Sequence, residues 1–345
     1  MFPADALARE LIARGWKVEL ATDARGKKFE PFAGGIPVHV LVDASPGVRD
    51  GVFTPSLTKI RFALALISGF GQAWKLMRYL KPDVVAGFGG YSSFPPVLAA
   101  QMKKIPTVIH ESNAALGVAN RLLAGRAARI ALALPIEEAI DGLVTGNPVR
   151  PDIAALYERP YPVPQAGGTL KIFITGGSQG AGVFSDVLPE ALSNLSEAER
   201  ARLDIVQQCL ESKIPAVKEM YRKSGIRAEL APFFRDMAAR IEHAHLFIGR
   251  SGASTVAEIS TAGRPAIFVP YPHHKDQQQL KNAHVLASAG GAWVMEQKDF
   301  TAEAVRAKIG ALLADPSALV KAAANARKCG HPDAAKQLAD VVEGV

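Results

Sequence analysis

LKIFITGGSQGAGVFSDV, residues 170–187, decides the fold class. A short apolar run rich in β-branched residues ends in GGSQGAG (176–182), and a helical pattern starts at about Val183. Strand, glycine turn and helix in that order is the arrangement that cradles a phosphate. The glycines let backbone approach an anion, and the helix N-terminus supplies N–H groups and a positive dipole end. Ser178 could add a hydroxyl donor. The plainer reading is a tight turn that needs glycine for its conformation alone.

Outward from this stretch, strand-like runs alternate with helical ones. They are WKVELA, IPVHVLV, DVVAGF, PTVIH and ARIALAL before it, and LDIVQQC, AHLFIG and PAIFVPY after it. Short buried runs separated by helices imply parallel sheets covered on both faces, an α/β fold. The proline-rich stretch 146–169 reads as a linker into a second domain that starts with the strand at Leu170. The chain opens MFPADALARELIARGWKVELATD (1–23), a helix and then a strand, the back half of a βαβ unit. If the first half is built like the second, its first strand and glycine turn are expected just ahead of Met1.

The bulk numbers agree with two globular domains: 345 residues, 48% hydrophobic and 21% charged. Cys209 and Cys329 lack metal-like spacing and read as reduced thiols of a cytosolic protein. Asp5 and Glu10 stand where a signal peptide needs an apolar core. The longest apolar run, 62–74, is too short to span a bilayer. The net charge of +7 admits anionic partners. Residues 51–82 hold no acidic side chain but include Lys59, Arg61, Lys75, Arg78 and Lys81, interleaved with Phe62, Leu66, Phe70 and Trp74. That pattern suits the surface of an anionic membrane, or a core helix with a solvated basic edge. Aromatic RNA-binding motifs and zinc-finger spacings are absent, which speaks against nucleic acid.

Five further motifs follow strands. GRSGASTVAE (249–258) begins a helix near Ser254 and Thr255, and Glu258 lies one turn in, where a carboxylate can accept from both hydroxyls of a ribose or simply favour the helix terminus. In PYPHHKDQQQLKNA (270–283), Gln278 and Gln279 both donate and accept, which suits sugar hydroxyls. His273, His274 and His284 lack the spacing of a zinc site, so no metal is expected. GFGGYSSFP (87–95) is a second glycine-rich turn. IHESNAALGVANR (109–121) places His110, Glu111 and Asn113 at a sheet's C-terminal edge, with Glu111 a candidate acid/base group. GNPVR (146–150) places Arg150 at the hinge, to meet ligand or fix the domain interface.

In order and spacing, GFGGYSS, HESNAALGVANR, GNPVR, GGSQGA, RSGASTVAE and PYPHHKDQQQLKNA resemble the MurG family, the bacterial transferases that convert lipid I to lipid II in peptidoglycan synthesis. The resemblance spans nearly the whole chain. It implies the GT-B fold: two Rossmann-like domains facing a cleft, 1–148 binding acceptor and membrane and 149–330 binding UDP-N-acetylglucosamine, with a C-terminal helix in 331–345 crossing back. It implies that Ser178, Ala253, Ser254, Thr255, Val256 and Ala257 meet the donor diphosphate, backbone near Phe234 the uracil, Glu258 the ribose, and Gln278 and Gln279 the sugar. Asn113 and Arg150 match further donor positions. Gly89, Gly90, Tyr91 and Ser92 would hold the acceptor diphosphate, and Phe70, Trp74, Lys75 and Arg78 the membrane, placing the enzyme peripherally on the cytoplasmic face of the inner membrane, in reach of other cell-wall synthesis proteins. Transfer would invert the anomeric centre without a cofactor. The family's opening strand and GGTGGH loop, which carries a histidine, have no counterpart here; Glu111 is then the matched carboxylate left for catalysis. Two other readings stay open: a GT-B glycosyltransferase with another glycolipid acceptor, and a UDP-sugar-binding protein without catalysis.

Overall fold

The computed structural model describes residues 1–24, 26–28, 35–42, 55–136, 138, 140–177, 182–273 and 276–345, with backbone alone for 55–63. The chain divides into two units, one made of Met1–Pro148 with Asp333–Val345, the other of Val149–Pro332.

The second unit runs α5 (Pro151–Ala154), β7 (Leu170–Thr175), α6 (Gly182–Ser193), α7 (Glu197–Arg200), β8 (Leu203–Gln208), α8 (Ile214–Lys223), β9 (Arg227–Ala231), α9 (Met237–His243), β10 (Leu246–Gly249), α10 (Ala253–Thr261), β11 (Ala266–Phe268), α11 (Gln278–Ser288), β12 (Ala292–Val294), α12 (Ala302–Ala314) and α13 (Ser317–Lys328). Its strands form one parallel sheet in the order β12-β11-β10-β7-β8-β9. The chain winds outward from β7 through β8 and β9, then crosses back to β10 and winds the other way. The strand order therefore reverses between β7 and β10, where ligands bind in doubly wound sheets.

The alternation within β7 explains why both faces of this sheet are covered. Leu170, Ile172 and Ile174 point to one face and pack with Phe184, Leu188 and Leu192 of α6. Phe173 points to the other and meets Phe234 at 5.8 Å and Phe247 at 5.9 Å between ring centroids. Fully burying each such side chain stabilises the unit by about 1.5–3 kcal/mol. At the end of β10 a Cβ on Gly249 would stand 2.6 Å from the Thr175 carbonyl oxygen. Glycine alone permits that close approach of β10 to β7.

The first unit runs α1 (Phe2–Ala13), β1 (Leu20–Thr22), β2 (Val38–Val40), α2 (Pro55–Leu80), β3 (Val85–Gly87), α3 (Gly90–Met102), β4 (Thr107–Glu111), α4 (Val118–Ala124), β5 (Arg129–Leu132) and β6 (Leu143–Val144), and takes in α14 (Ala334–Glu343). Among the described residues its strands form two parallel groups, β1-β2 and β3-β4-β5-β6. Leu7 and Leu11 of α1 pack with Val108, Ala131 and, from α14, Leu338, Ala339 and Val342. Arg14 pins α14 to α1, donating to Glu10 at 2.9 Å, Asp340 at 2.6 Å and Glu343 at 2.7 Å. On the other side Leu41, Ala73, Met77, Ala99 and Ala100 form a cluster against which Ala21 of β1 and Val85 of β3 both pack.

The structure departs from the sequence reading in three places. The strands β6, β9 and β12 were not foreseen. The stretch 146–169 is more than a linker: α5 packs against α10, and Ile153 and Leu156 are buried. In α2, Trp74 does not face outward. It is half-buried beside the Leu41–Met77 cluster with the Lys103 ammonium 3.9 Å from its ring centroid, and Phe70 packs on the same cluster. Among the described side chains of α2, Leu64, Ile67 and Tyr79 are 61%, 69% and 81% exposed, with Lys75 and Arg78 also exposed. No helix among the described residues is long and apolar enough to cross a membrane.

Candidate functional site

At the strand-order reversal of the second unit, three loops leave the C-terminal ends of β7, β8 and β10. The loop after β7 is anchored by Gln208, at the end of β8. Its Oε1 accepts from Thr175 Oγ1 at 2.6 Å and from Gly176 N at 3.1 Å, and its Nε2 donates to Gly177 O at 3.3 Å and Pro232 O at 3.1 Å. One side chain thus ties the glycine turn to the loop that carries Phe234. Sequence reading missed Gln208, because a glutamine at a strand end carries no motif. Ser178 lies outside the described residues. Phe234 is buried, its ring under the Arg240 guanidinium at 4.9 Å, while Phe233 beside it is 62% exposed.

After β10, Arg250 reaches across to the next loop. It donates to the carbonyls of Val269 at 2.9 Å and Pro270 at 3.0 Å and to Gln297 Oε1 at 2.6 Å. Its guanidinium stacks over Phe184 of α6 and Tyr271, and burial pushes its pKa down. Ala253, Ser254, Thr255, Val256 and Ala257 form the first turns of α10, with Gly252 at its N-cap. Buried Arg264 closes the far end, donating to carbonyls of Ile241, Glu242 and Ala262.

Glu258 sits on α10 with 3.7 Å between its Oε1 and Arg150 Nε, and Arg150 Nε lies 3.9 Å from Asp152. Burial pushes the Glu258 carboxyl up to about 7; Arg150 opposes that shift and Asp152 adds to it. Gln278 opens α11 and donates to Asp276 at 2.7 Å. Gln279 accepts from Tyr271 N at 2.9 Å, so its carbonyl oxygen braces the 271 loop.

In the first unit, Gly89 and Gly90 start α3 with φ of +73° and +74°, a left-handed path that glycine takes without strain. Tyr91 is exposed and Ser92 half-buried at this turn. His110 is buried against Phe88 with Nε2 3.3 Å from the Gly146 carbonyl, and burial lowers its pKa to about 4. It is neutral at physiological pH.

Glu111 is buried among donors at the end of β4. Its Oε1 accepts from Asn113 N at 3.0 Å and Asn113 Nδ2 at 3.1 Å, and its Oε2 from Gly117 N at 2.9 Å and Asn120 Nδ2 at 2.8 Å. Four donors fill the four in-plane acceptor positions of a carboxylate. They tie the carboxylate to Asn113 and to the start of α4. Among the described residues no cluster of His, Cys, Asp and Glu is arranged to hold a metal ion.

Comparison with known proteins places this geometry. The chain matches the models for the glycosyltransferase family 28 N-terminal domain over residues 1–132 and C-terminal domain over 171–338. It is 50% identical to a protein of Rhodospirillum centenum, with all of this chain and 91% of that one aligned, and 47% identical to one of Rhodospirillum rubrum, with 99% and 88% aligned. Both are named UDP-N-acetylglucosamine–N-acetylmuramyl-(pentapeptide) pyrophosphoryl-undecaprenol N-acetylglucosamine transferase. Among solved structures, MurG of Acinetobacter baumannii superposes with a TM-score of 0.81 at 31% identity, covering 100% of this chain and 96% of that one. A UDP-GlcNAc 2-epimerase from Neisseria meningitidis, 14% identical with a TM-score of 0.65, shares the fold. With both domain models matched and such identity over its full length, the chain belongs to glycosyltransferase family 28 and, within it, to the MurG family.

Proposed function

We propose that this chain transfers N-acetylglucosamine from UDP-N-acetylglucosamine to the C4 hydroxyl of the muramyl sugar of lipid I, giving lipid II with inversion at the anomeric carbon. The observation that carries it is full-length identity of 43–50% to relatives named for that transfer. The topology supports a donor site in the second unit. The β7 and β10 loops flank the strand reversal, and the N-termini of α6 and α10 both rise from that edge. Their N–H groups suit a diphosphate and stabilise it as it leaves. Glu258 receives the ribose hydroxyls, Arg150 balances its charge, and Gln278 with the Gln279 amide meets the sugar. Backbone near Phe234 meets the uracil. In the first unit Gly89, Gly90, Tyr91 and Ser92 hold the acceptor diphosphate, and Glu111 keeps Asn113 in place.

The test is transfer from labelled UDP-N-acetylglucosamine to lipid I, read as lipid II. Gln278→Ala is expected to weaken donor binding roughly 2–10-fold, the loss of a hydrogen bond of about 0.5–1.5 kcal/mol. Transfer to a different glycolipid, or donor binding without transfer to lipid I, would replace this reading with one of the other two.

The chain is further proposed to act peripherally on the cytoplasmic face of the inner membrane. Leu64 and Ile67 supply the apolar contact and Lys75 and Arg78 the attraction to anionic lipid. The pair Leu64→Ser and Ile67→Ser is expected to release the chain from anionic vesicles in a sedimentation assay, and high salt to weaken wild-type binding. Retention by the double variant in high salt would remove the assignment.

A further inference from the structure

In the second unit one side chain joins two loops that are expected to hold different parts of the donor. Gln208 ends β8, the strand between β7 and β9. The glycine turn leaves β7 on one side of it, and the loop that carries Phe234 leaves β9 on the other. Cys209 N donates to Ala231 O at 2.9 Å, beside the end of β9. Pro232, next in the loop, has no N–H to extend the pairing. The Gln208 side chain continues the connection instead, donating from Nε2 to Pro232 O at 3.1 Å and to Gly177 O at 3.3 Å.

The other end of the same amide holds the turn. Its Oε1 accepts from Thr175 Oγ1 at 2.6 Å and from Gly176 N at 3.1 Å, and Thr175 Oγ1 accepts from Gly177 N at 3.1 Å. These neighbours fix which way round the amide lies. The Gly176 N–H must face an acceptor, and the Gly177 and Pro232 carbonyls must face donors. The first two N–H groups of the turn are thus engaged by Thr175 and Gln208, which set its path, with Gly177 at φ +76°. Next to it on β8, Gln207 points to the opposite face. There its Oε1 accepts from Tyr221 OH at 2.7 Å and its Nε2 donates to Phe184 O at 3.4 Å. Gln207 belongs to the core of the unit and Gln208 to its loops.

We infer that Gln208 is a positioning residue for the donor, coupling the loop that meets the base to the turn that meets the diphosphate. This rests on the donor reading of the second unit. A base seated at the Phe234 loop fixes Pro232 and, through the Gln208 amide, Gly176 and Gly177. A diphosphate bound next then has less freedom of the turn to remove. The bonds from Gly177 N to Thr175 Oγ1 and from Thr175 Oγ1 to Gln208 Oε1 polarise one another along the same route. The nucleotide is recognised as a unit, because a diphosphate on the wrong base meets a turn that is not held. Binding free energies are reciprocal, so diphosphate favours the base by the same factor.

Two probes that take separate parts of the site test this by isothermal titration of the full chain. They are inorganic diphosphate and 1-methyluracil, which carries the base without ribose or phosphate. With 1-methyluracil near saturation, the wild type is expected to bind diphosphate at least about five-fold more tightly than without it, and the reverse titration to give the same factor. Gln208→Met, of similar length but without the amide, should bring that factor below about two. Thr175→Val takes one bond from the same turn but leaves Gln208 its bonds to Gly176, Gly177 and Pro232. It should keep the factor, which a general loosening of the turn would not. If Gln208→Met does not fold, Gln208→Asn, one methylene too short to reach both carbonyls, is measured in its place with the same loss expected. Diphosphate affinity that ignores 1-methyluracil in the wild type would overturn the inference. So would a factor that survives in the folded Gln208 variant, or one that falls equally in Thr175→Val. UDP titrated alongside keeps the two readings apart. Failure to bind UDP would overturn the donor reading and the inference with it, whereas UDP binding without cooperation between the two probes would overturn the inference alone.

Discussion

Glu258→Gln is expected to stabilise the unliganded chain and to weaken the donor, two effects of opposite sign from one group. Burial raises the Glu258 carboxyl from 4.5 to about 7. The folded chain therefore holds this proton more tightly than the unfolded one. The group costs stability above about pH 7, and the cost fades as the pH falls from there toward 4.5. At pH 8 the cost is on the order of 3 kcal/mol at most, so glutamine should raise the melting temperature by a few degrees and flatten its pH dependence. The same carboxylate, ionised, accepts from two ribose hydroxyls, and hydrogen bonds to a charged group are each worth about 1.5–3 kcal/mol. Replacing it is expected to weaken UDP-N-acetylglucosamine roughly 10–100-fold at pH 8. Wild-type affinity should fall between about pH 8 and pH 6 as the carboxyl protonates, and the variant should not follow. Isothermal titration across that range is the check. Unchanged donor affinity in the variant would remove Glu258 from the ribose site.

How much of this was legible in the residues follows from what surrounds each element. The central strands β4, β7, β8, β10 and β11 were readable because a strand covered on both faces, or nearly so, is a run of apolar residues. The strands that escaped notice, β6, β9 and β12, each stand at the edge of a sheet. An edge strand is solvated on one side and short; RAELA and AWV carry no continuous apolar signal. The glycines at 89, 90 and 177 were visible for the same kind of local reason, since a positive φ selects glycine whatever the rest of the chain does.

The sequence by itself determined the α/β class, the family, and the strand ends from which the site residues project, because those depend on local periodicity and on motifs contiguous in the chain. Only the tertiary structure decided what each side chain is able to do there. Glu111 reads as a lone carboxylate at a strand end, and only the structure shows Asn113, Gly117 and Asn120 donating to it. Nothing in the sequence around Trp74 shows that it packs beside the Leu41–Met77 cluster under Lys103 while Leu64, Ile67 and Tyr79 of the same helix are exposed. Gln208 reads as nothing until it joins the glycine turn to Pro232. In each case the deciding partner comes from another turn or another element, and the free energy of a polar or apolar group is set by the neighbours that satisfy or bury it.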